Sequence, residues 1–230
     1  MVADGAQHVV VIPVKPPGVG KTRLTGMPAA QRVALATAFA IDTVTACLAT
    51  GEVAQVLVTT DDARFATTLA TLGAMTCPDG GSGLNRALVQ ATAEAARRWP
   101  GLRPVALCAD LPALRAEDLT SALASVTDRT AYVADASGTG TTLYTASYDD
   151  FAPRFGNGSA AAHTAAGAYP LPGELAGLRQ DVDDLASLRA AIALGVGPAT
   201  RSAIDAADLA ILEEHDSSET AKNTDGPPSR

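Results

Sequence analysis

The sequence has few aromatic residues, few cysteines and no excess of positive charge. Only 4% of its 230 residues are aromatic, and the net charge is −8. An acidic chain of this kind does not match the basic footprint of a general nucleic-acid binder. The scarcity of aromatic rings disfavours a site that recognises a large flat ligand by stacking. The length suffices for one α/β domain with a full core and is too short for two comfortable domains.

The three cysteines, Cys47, Cys77 and Cys108, are far apart and match no metal-ligand spacing. Cys47 lies on a predicted helical face and Cys108 ends an apolar run, so we expect both to be core thiols in a reducing cytoplasm. No apolar run approaches about 20 residues, and the N-terminus lacks a charged-then-apolar signal pattern. We therefore expect a cytoplasmic protein with no membrane span.

Two familiar nucleotide-binding patterns are missing from the first turn. It contains no Gly-x-Gly-x-x-Gly, which disfavours a dinucleotide-binding dehydrogenase. A Walker A loop would need glycine where this chain has Lys15. Instead, the first apolar segment leads into a loop that combines Gly18 and Gly20 with Lys15, Lys21 and Arg23. Because glycines allow close backbone approach and cations neutralise phosphate, this loop predicts a triphosphate site; the alternative is a solvated turn.

Predicted strands and helices alternate along most of the chain. The predicted strands cover residues 9–14, 56–59, 74–77, 105–108 and 131–134. The predicted helices cover residues 29–49, about 61–72, 84–98, 117–126, 184–194 and about 200–213. This alternation predicts an α/β fold with a mainly parallel sheet and helices on both faces. In such sheets ligands bind beyond the carboxyl ends of the strands, where the cationic loop, Asp61-Asp62 and Asp110 fall.

The alternation is interrupted after the strand at 131–134. Residues 138–142 and 155–159 are rich in glycine and hydroxyl side chains, and we expect an insertion that closes over a second substrate. Residues 215–230 are polar and are predicted to be a disordered tail. This division leaves residues 1–214 as a single domain.

Three aspartates are candidates for a metal site. Asp110 follows a buried strand and is either a Mg²⁺ ligand or the cap of the next helix. Asp181 and Asp183 alternate in an extended segment, so their side chains face the same side. Close like charges favour a cation between them, so we predict a magnesium site. Asp183 or Asp184 is also expected to cap the helix that follows.

Hydroxyl and glycine residues of the insertion are candidates for binding an anion: Thr141, Gly156 and Ser159. Ser159 is expected to open a short helix, whose N-terminus attracts anions; the alternative is a pair of ordinary glycine loops. His163 is either a satisfied helix residue or a phosphate contact. Asn85, two residues after Gly83, is either a helix cap or a contact to a base or ribose.

Together these motifs resemble the phospholactate guanylyltransferases, enzymes that help make the deazaflavin coenzyme F-420. The motifs occur in family order from residue 9 to about 195, and their combination is specific although each motif alone is weak. They are Ile12-Pro13-Val14-Lys15, Lys21-Thr22-Arg23-Leu24, Gly83-Leu84-Asn85, Asp110-Leu111-Pro112, Gly138-Thr139-Gly140-Thr141-Thr142-Leu143, Phe155-Gly156-Asn157-Gly158-Ser159 with His163, and Asp181-Val182-Asp183.

The resemblance implies a three-layer α/β/α sandwich of the nucleotide-diphospho-sugar transferase (glycosyltransferase-A-like) type, similar to the molybdenum-cofactor guanylyltransferases. It also implies transfer of GMP from GTP to a phosphorylated three-carbon acid, with release of pyrophosphate. The implied contacts are Lys15, Lys21 and Arg23 with the triphosphate; Gly83 and Asn85 with the nucleotide; Asp110 and Asp181 with Mg²⁺, Asp183 being a third candidate; and Thr141, Gly156 and Ser159 with the acid.

Several alternatives stay open at this point. The alanine-rich composition suggests an actinobacterial source, for which the resemblance implies phosphoenolpyruvate as the acid; phospholactate and phosphoglycerate are the alternatives. A molybdopterin or sugar-phosphate nucleotidyltransferase would need a larger cleft with stacking or hydroxyl-reading groups. A non-catalytic GTP-binding module would not need carboxylates at both Asp110 and Asp181. The choice of guanine and the oligomeric state are not readable from the residues.

Overall fold

The computed structural model describes residues 7–15, 24, 27–80 and 83–207, which form one sheet with helices against it. The strands are β1 His8–Pro13, β2 Val53–Thr59, β3 Met75–Cys77, β4 Arg103–Leu107, β5 Ala131–Ala134, β6 Thr141–Thr145 and β7 Tyr169–Pro170. The helices are α1 Ala29–Leu48, α2 Ala63–Thr71, α3 Leu84–Arg98, α4 Ala116–Ala124, α5 Ser159–Ala165, α6 Ala176–Arg179, α7 Leu185–Leu194 and α8 Pro198–Ala206.

The sheet has the strand order β3-β2-β1-β4-β6-β5-β7. β1 runs parallel to both β2 and β4, β2 runs parallel to β3, and β5 runs parallel to β7. β6 is antiparallel to both of its neighbours, β4 and β5. The predicted mainly parallel, mixed sheet is therefore confirmed, and the one reversed strand lies next to the central strands.

The central strand β1 separates two layers of core side chains. Val9, Val10, Val11 and Ile12 are all fully buried, as expected for a parallel strand covered on both faces. Val10 and Ile12 belong to the core cluster that contains residues of α1, α2 and α4. Val9 and Val11 belong to the opposite cluster, with residues of α3 and α5. Helices on both faces make the predicted three-layer sandwich.

A buried carboxylate fastens the last described helix to the first. Asp42, on α1, is 7% exposed and accepts hydrogen bonds from the backbone N–H groups of Ala199 (3.0 Å) and Thr200 (2.8 Å) at the start of α8. These are N–H groups that no residue of α8 can satisfy. The sequence predicted this helix over about 200–213, whereas α8 begins at Pro198 and ends at Ala206.

The expectation of an irregular loop at 138–142 is wrong at its C-terminal end, because Thr141 is the first residue of β6. The carboxylate of Asp135 accepts hydrogen bonds from the N–H groups of Thr139 (3.0 Å) and Gly140 (2.9 Å). This bonding closes a tight turn after β5 and lets the following residues pair as a hairpin. β7 and α6 were not predicted because two and four residues are too short for a periodic signal.

The predicted domain limit at residue 214 and the disordered tail at 215–230 lie outside the described residues and stay predictions. Among the described residues, no helix has both the length and the apolar character needed to cross a bilayer.

Gly177, in α6, lies where two backbone segments touch. A Cβ atom at this position would overlap the carbonyl oxygen of Ala113 and approach a carboxylate oxygen of Asp118, which accepts a hydrogen bond from the Gly177 N–H group at 2.9 Å. Because a backbone carbonyl cannot rotate away, we expect Gly177→Ala to lower the free energy of unfolding by about 1–3 kcal/mol. Urea denaturation measures the change.

Gly101→Ala is the matched control for this experiment. A Cβ atom at Gly101 meets nothing within 4 Å, so we expect a change within about 0.5 kcal/mol. Equal unfolding free energies for the two variants would contradict the close contact at Gly177.

Candidate active site

The carboxyl ends of β1 and β4 bring a cation and a carboxylate to the same edge of the sheet. Lys15 is exposed just beyond β1, and Asp110 is half-buried just beyond β4. Both line a cavity of about 420 Å³. Two of the three predicted phosphate-binding cations, Lys21 and Arg23, lie outside the described residues. The structure therefore places one cation of the predicted triphosphate loop beside the expected metal site.

Asp110, Asp181 and Asp183 come together as the sequence predicted. Each offers one carboxylate oxygen, and the three oxygens lie within 4.8 Å of one another. A backbone hydrogen bond of 3.0 Å from the Val182 N–H group to the Asp110 carbonyl oxygen joins the two segments that carry them. We call these three residues the carboxylate cluster. Oxygen ligands at this spacing suit a hard divalent cation such as Mg²⁺.

The structure also decides which aspartates are helix caps. α4 begins after Arg115, so the alternative that Asp110 caps this helix is wrong. Asp184 is the N-cap of α7: it forms a capping box in which its carboxylate accepts a hydrogen bond from the Ser187 N–H group at 2.8 Å. The capping role thus belongs to Asp184 and not to Asp183.

A second cavity, of about 650 Å³, adjoins the first. Leu84, Cys108, Phe155 and Asp183 line both cavities. Asp110 lines the first cavity and Asp181 lines the second, so the carboxylate cluster spans the boundary between them. The predicted anion-binding residues Thr141, Gly156 and Ser159 all line the second cavity. The sheet edge therefore carries one cleft with two compartments.

The start of α5 differs from the predicted anion site. Ser159 does begin the helix and is 2% exposed. However, its N–H group donates to the Gly156 carbonyl oxygen at 3.1 Å, and the Ala160 N–H group donates to the Thr139 carbonyl oxygen at 3.1 Å. Two N–H groups of the first turn are thus used within the protein. An anion here would depend more on side-chain hydroxyls than the sequence suggested.

His163 is not a phosphate contact, because its side chain is fully buried. Its ring stacks on Tyr144 and Tyr132, with centroid distances of 4.7 Å and 5.6 Å. The Arg154 N–H group donates to Nε2 at 2.9 Å, and Nδ1 lies 3.0 Å from the Thr141 hydroxyl oxygen. Burial, with a smaller effect from the nearby Arg154 charge, lowers the pKa of His163 to about 4. Of the two interpretations left open, the satisfied helix residue is confirmed.

Asn85 is not the cap of α3, because the N-cap is Gly83 with a φ of 97°. Instead the Asn85 amide pairs with the backbone of Phe155. Its Nδ2 donates to the carbonyl oxygen at 3.0 Å, and its Oδ1 accepts from the N–H group at 2.9 Å. Because Phe155 lines both compartments, Asn85 fixes the wall that they share. No local pattern signals a contact between residues so far apart in sequence.

Asp79 is a residue of this edge that sequence reasoning missed. Its N–H group donates to the Asp61 carboxylate at 2.9 Å. Burial raises the pKa of Asp79, the Asp61 charge raises it further, and Lys15 partly offsets both effects. Asp62 has a structural role, because its carboxylate caps α2 through the N–H groups of Arg64 and Phe65. Asp61 and Asp62 were predicted to lie where ligands bind, and the structure shows that their carboxylates bond to nearby backbone N–H groups.

The chain matches the family model described as "Guanylyl transferase CofC like" over residues 8–168. It is 46% identical over 208 residues to the phosphoenolpyruvate guanylyltransferase of Geodermatophilus obscurus, covering 86% of this chain and 94% of the relative. It is also 46% identical over 210 residues to the Streptomyces coelicolor protein of the same name, covering 89% and 98%.

Two solved structures share the fold. A candidate nucleotide-diphospho-sugar transferase from Desulfovibrio desulfuricans has a TM-score of 0.66 at 18% identity, covering 90% of this chain and 97% of that one. A nucleotidyl transferase from Methanothermobacter has a TM-score of 0.55 at 15% identity, covering 82% and 97%. Together with the sheet order, they confirm the predicted nucleotide-diphospho-sugar transferase type of fold.

The buried, neutral His163 predicts a pH dependence of stability. Its pKa falls from the ordinary 6.5 to about 4 in the folded protein, so between these values the unfolded chain binds more protons. The contribution of His163 to stability is fully present above about pH 6.5 and is lost as the pH falls toward 4. At pH 5, relative to pH 8, we expect a loss of about 2 kcal/mol from this group.

Denaturation curves of wild type and His163→Asn at several pH values measure this contribution. The stability difference between the two proteins is expected to shrink as the pH falls from 6.5 toward 4, since the asparagine does not titrate. A difference that stays constant across this range would contradict the depressed pKa.

Proposed function

The chain belongs to the CofC-like guanylyl transferase family, and on that premise we propose that it transfers GMP from GTP onto phosphoenolpyruvate. The products would be enolpyruvyl-diphospho-guanosine and pyrophosphate, in a step of coenzyme F-420 synthesis. The observation that carries this proposal is the carboxylate cluster between a compartment that holds a cation and one lined by small polar residues. Relatives named phosphoenolpyruvate guanylyltransferase support the choice of acid.

The triphosphate is assigned to the first compartment. Lys15 is exposed there beside the carboxylate cluster, where it would neutralise charge on the phosphates and on the departing pyrophosphate. Lys21 and Arg23 follow in the same loop of the sequence and are proposed to serve the same purpose. Gly83 and Asn85, proposed to serve the nucleotide, begin the helix whose first residue, Leu84, lines both compartments.

Asp110 and Asp181 are proposed to hold Mg²⁺, with Asp183 as a third ligand. The cluster fits this ion, because its three carboxylate oxygens lie close enough to share one hard cation. When bound, the ion would reduce the repulsion between two anionic substrates. Ligands at the compartment boundary would hold the ion close to the proposed positions of both substrates.

The acid is assigned to the second compartment, with Thr141, Gly156 and Ser159. An oxygen of its phosphate would attack the α-phosphorus of GTP, forming a P–O bond as the bond to the pyrophosphate oxygen breaks. The attacking phosphate is already an anion, so the step requires no strong general base. The protein's main contribution is to hold both anions in line, which can supply up to about 7–11 kcal/mol.

The lining of the second compartment favours a small acid over a pterin. Phe155 is the one aromatic side chain among its described lining residues, so there is little to stack on a fused ring. Phospholactate or phosphoglycerate would fit the same chemistry. A non-catalytic GTP-binding module would not need carboxylates at both Asp110 and Asp181.

Pyrophosphate release tests the proposed function. The purified protein is incubated with Mg²⁺, each of GTP, ATP and CTP, and each of phosphoenolpyruvate, phospholactate and phosphoglycerate. We expect release with GTP and phosphoenolpyruvate at a rate well above every other pair. Faster release with phospholactate or phosphoglycerate would show that this acid, and not phosphoenolpyruvate, is the acceptor. No release with any pair would refute a nucleotidyltransferase acting on these acids.

Neutralising the carboxylate cluster tests the metal assignment. We expect Asp110→Asn and Asp181→Asn to fold normally and to lose about two orders of magnitude or more in kcat, because charge stabilisation in the transition state is lost. Circular dichroism and steady-state pyrophosphate assays measure the two properties.

Asp62→Asn is the matched control, since it removes a carboxylate charge from a helix cap that lines neither compartment, and asparagine also caps well. Its kcat is expected to stay near that of wild type. Near-wild-type activity of both cluster variants would refute the role of these aspartates in holding Mg²⁺.

A further inference from the structure

The proton of the His163 ring can be assigned from its surroundings. The backbone N–H group of Arg154 points at Nε2 with a distance of 2.9 Å, and a backbone N–H can only donate. Nε2 is therefore an acceptor and carries no proton. The ring is fully buried and stacks on Tyr144 and Tyr132, and this burial favours its uncharged form. A neutral imidazole has one N–H group, so this group is at Nδ1.

The Nδ1–H group determines what the Thr141 hydroxyl can do. Nδ1 lies 3.0 Å from the Thr141 hydroxyl oxygen. Because Nδ1 carries the ring proton, it cannot accept a hydrogen bond, so the hydroxyl of Thr141 cannot donate to the ring. Thr141 lines the second compartment of the cleft. Its hydroxyl proton is thus available to an anion in that compartment.

We propose that His163 is a positioning residue for the acceptor, which holds the Thr141 hydroxyl as a hydrogen-bond donor toward an anionic group of the acid. This proposal rests on the proposed function, because it takes Thr141 as a contact of the acid. A serine or threonine hydroxyl can otherwise rotate between donating and accepting directions. Fixing its direction before the acid binds reduces the entropy lost on binding.

The same ring joins the segments that carry the three predicted contacts of the acid. His163 lies on α5, whose first residue is Ser159; its Nδ1 is 3.0 Å from the Thr141 hydroxyl oxygen, and its Nε2 accepts from the Arg154 N–H group, two residues before Gly156. The ring of Phe155 also packs against it edge-on, at a centroid distance of 5.8 Å. One buried side chain therefore sets the relative placement of a hydroxyl, a helix start and a glycine turn.

Steady-state kinetics of four single variants and one double variant test the proposal. His163→Phe keeps an aromatic ring in the stack but removes the Nδ1–H donor. We expect the KM for phosphoenolpyruvate to rise about tenfold or more, as for loss of one hydrogen bond to a charged group, and the KM for GTP to change less than about threefold. His163→Asn, whose side-chain N–H can replace the Nδ1–H group, is expected to recover most of this loss.

The double variant separates positioning from general disruption. If His163 acts through Thr141, Thr141→Val should raise the KM for the acid by itself, and adding His163→Phe should raise it by no more than about twofold further. Tyr132→Phe is the control, since it removes a hydroxyl that bonds to Thr164 and keeps the aromatic ring, so it should leave both KM values unchanged.

The proton assignment has its own test, which needs no substrate. A long-range ¹H–¹⁵N spectrum of the ligand-free wild type at pH 7 should show the His163 ring protonated at Nδ1, with the signal assigned by its loss in His163→Asn. A ring protonated at Nε2 would overturn the proposal whatever the enzyme's activity.

The kinetic outcomes distinguish the two levels of inference. Suppose that the wild type turns over the acid. An unchanged KM for the acid in His163→Phe would then overturn the positioning role and leave the proposed function intact. The same holds if the effects of His163→Phe and Thr141→Val on this KM multiply in the double variant. No pyrophosphate release by the wild type with any of the acids would overturn the proposed function and the positioning role with it.

Discussion

The backbone hydrogen bond from Val182 to Asp110 is the contact on which the cleft depends. It joins the end of β4 to a segment that follows the β5–β6 hairpin, α5 and α6 in the sequence. Thr43 supports the same junction from α1, because its hydroxyl accepts from the Leu111 N–H group at 3.1 Å. These backbone bonds hold the segments on which the three carboxylates converge. The positions of the three carboxylates thus depend on backbone hydrogen bonds between the segments that carry them.

In the proposed reaction, two anionic substrates repel each other, and the compartments on either side of this junction would reduce that repulsion in different ways. One side provides a cation at the end of a buried parallel strand, and the other provides hydroxyls held by buried polar groups. Asp135 lines the second compartment and His163 is buried beside it, and they hold a turn and a hydroxyl by hydrogen bonds at 2.9–3.0 Å. These polar groups of the second compartment are therefore bonded within the protein itself.

The sequence predicted the parts of this structure that depend on periodicity and strand ends. The buried valines of β1, the helix face of α1 and the placement of Asp110 all follow from local patterns. The roles of Asn85 and His163 do not, because each depends on a partner brought close only by the folded chain. Asp135 binds residues four and five positions later, a local contact that the sequence analysis did not identify. From the sequence alone, Asn85 resembles a helix cap. The folded structure shows that its amide instead binds the backbone of Phe155. The helix starts at Asp184 and Ser159 fall between these cases. The sequence left the cap of α7 open between Asp183 and Asp184, and it did not show that N–H groups at the start of α5 are bonded within the protein.

The two compartments draw these residues from different parts of the chain, on either side of the β5–β6 hairpin. Lys15 and Asp110 precede the hairpin in the sequence, whereas Thr141, Gly156 and Ser159 all come from the hairpin and the segment after it. Because β6 runs against β4, its first residue meets the last residues of β4 at the same sheet edge, where Cys108 donates its N–H group to Thr142. If Thr141, Gly156 and Ser159 bind the acid as proposed, substitutions within this one continuous stretch can change which acid is accepted without altering Lys15 or Asp110.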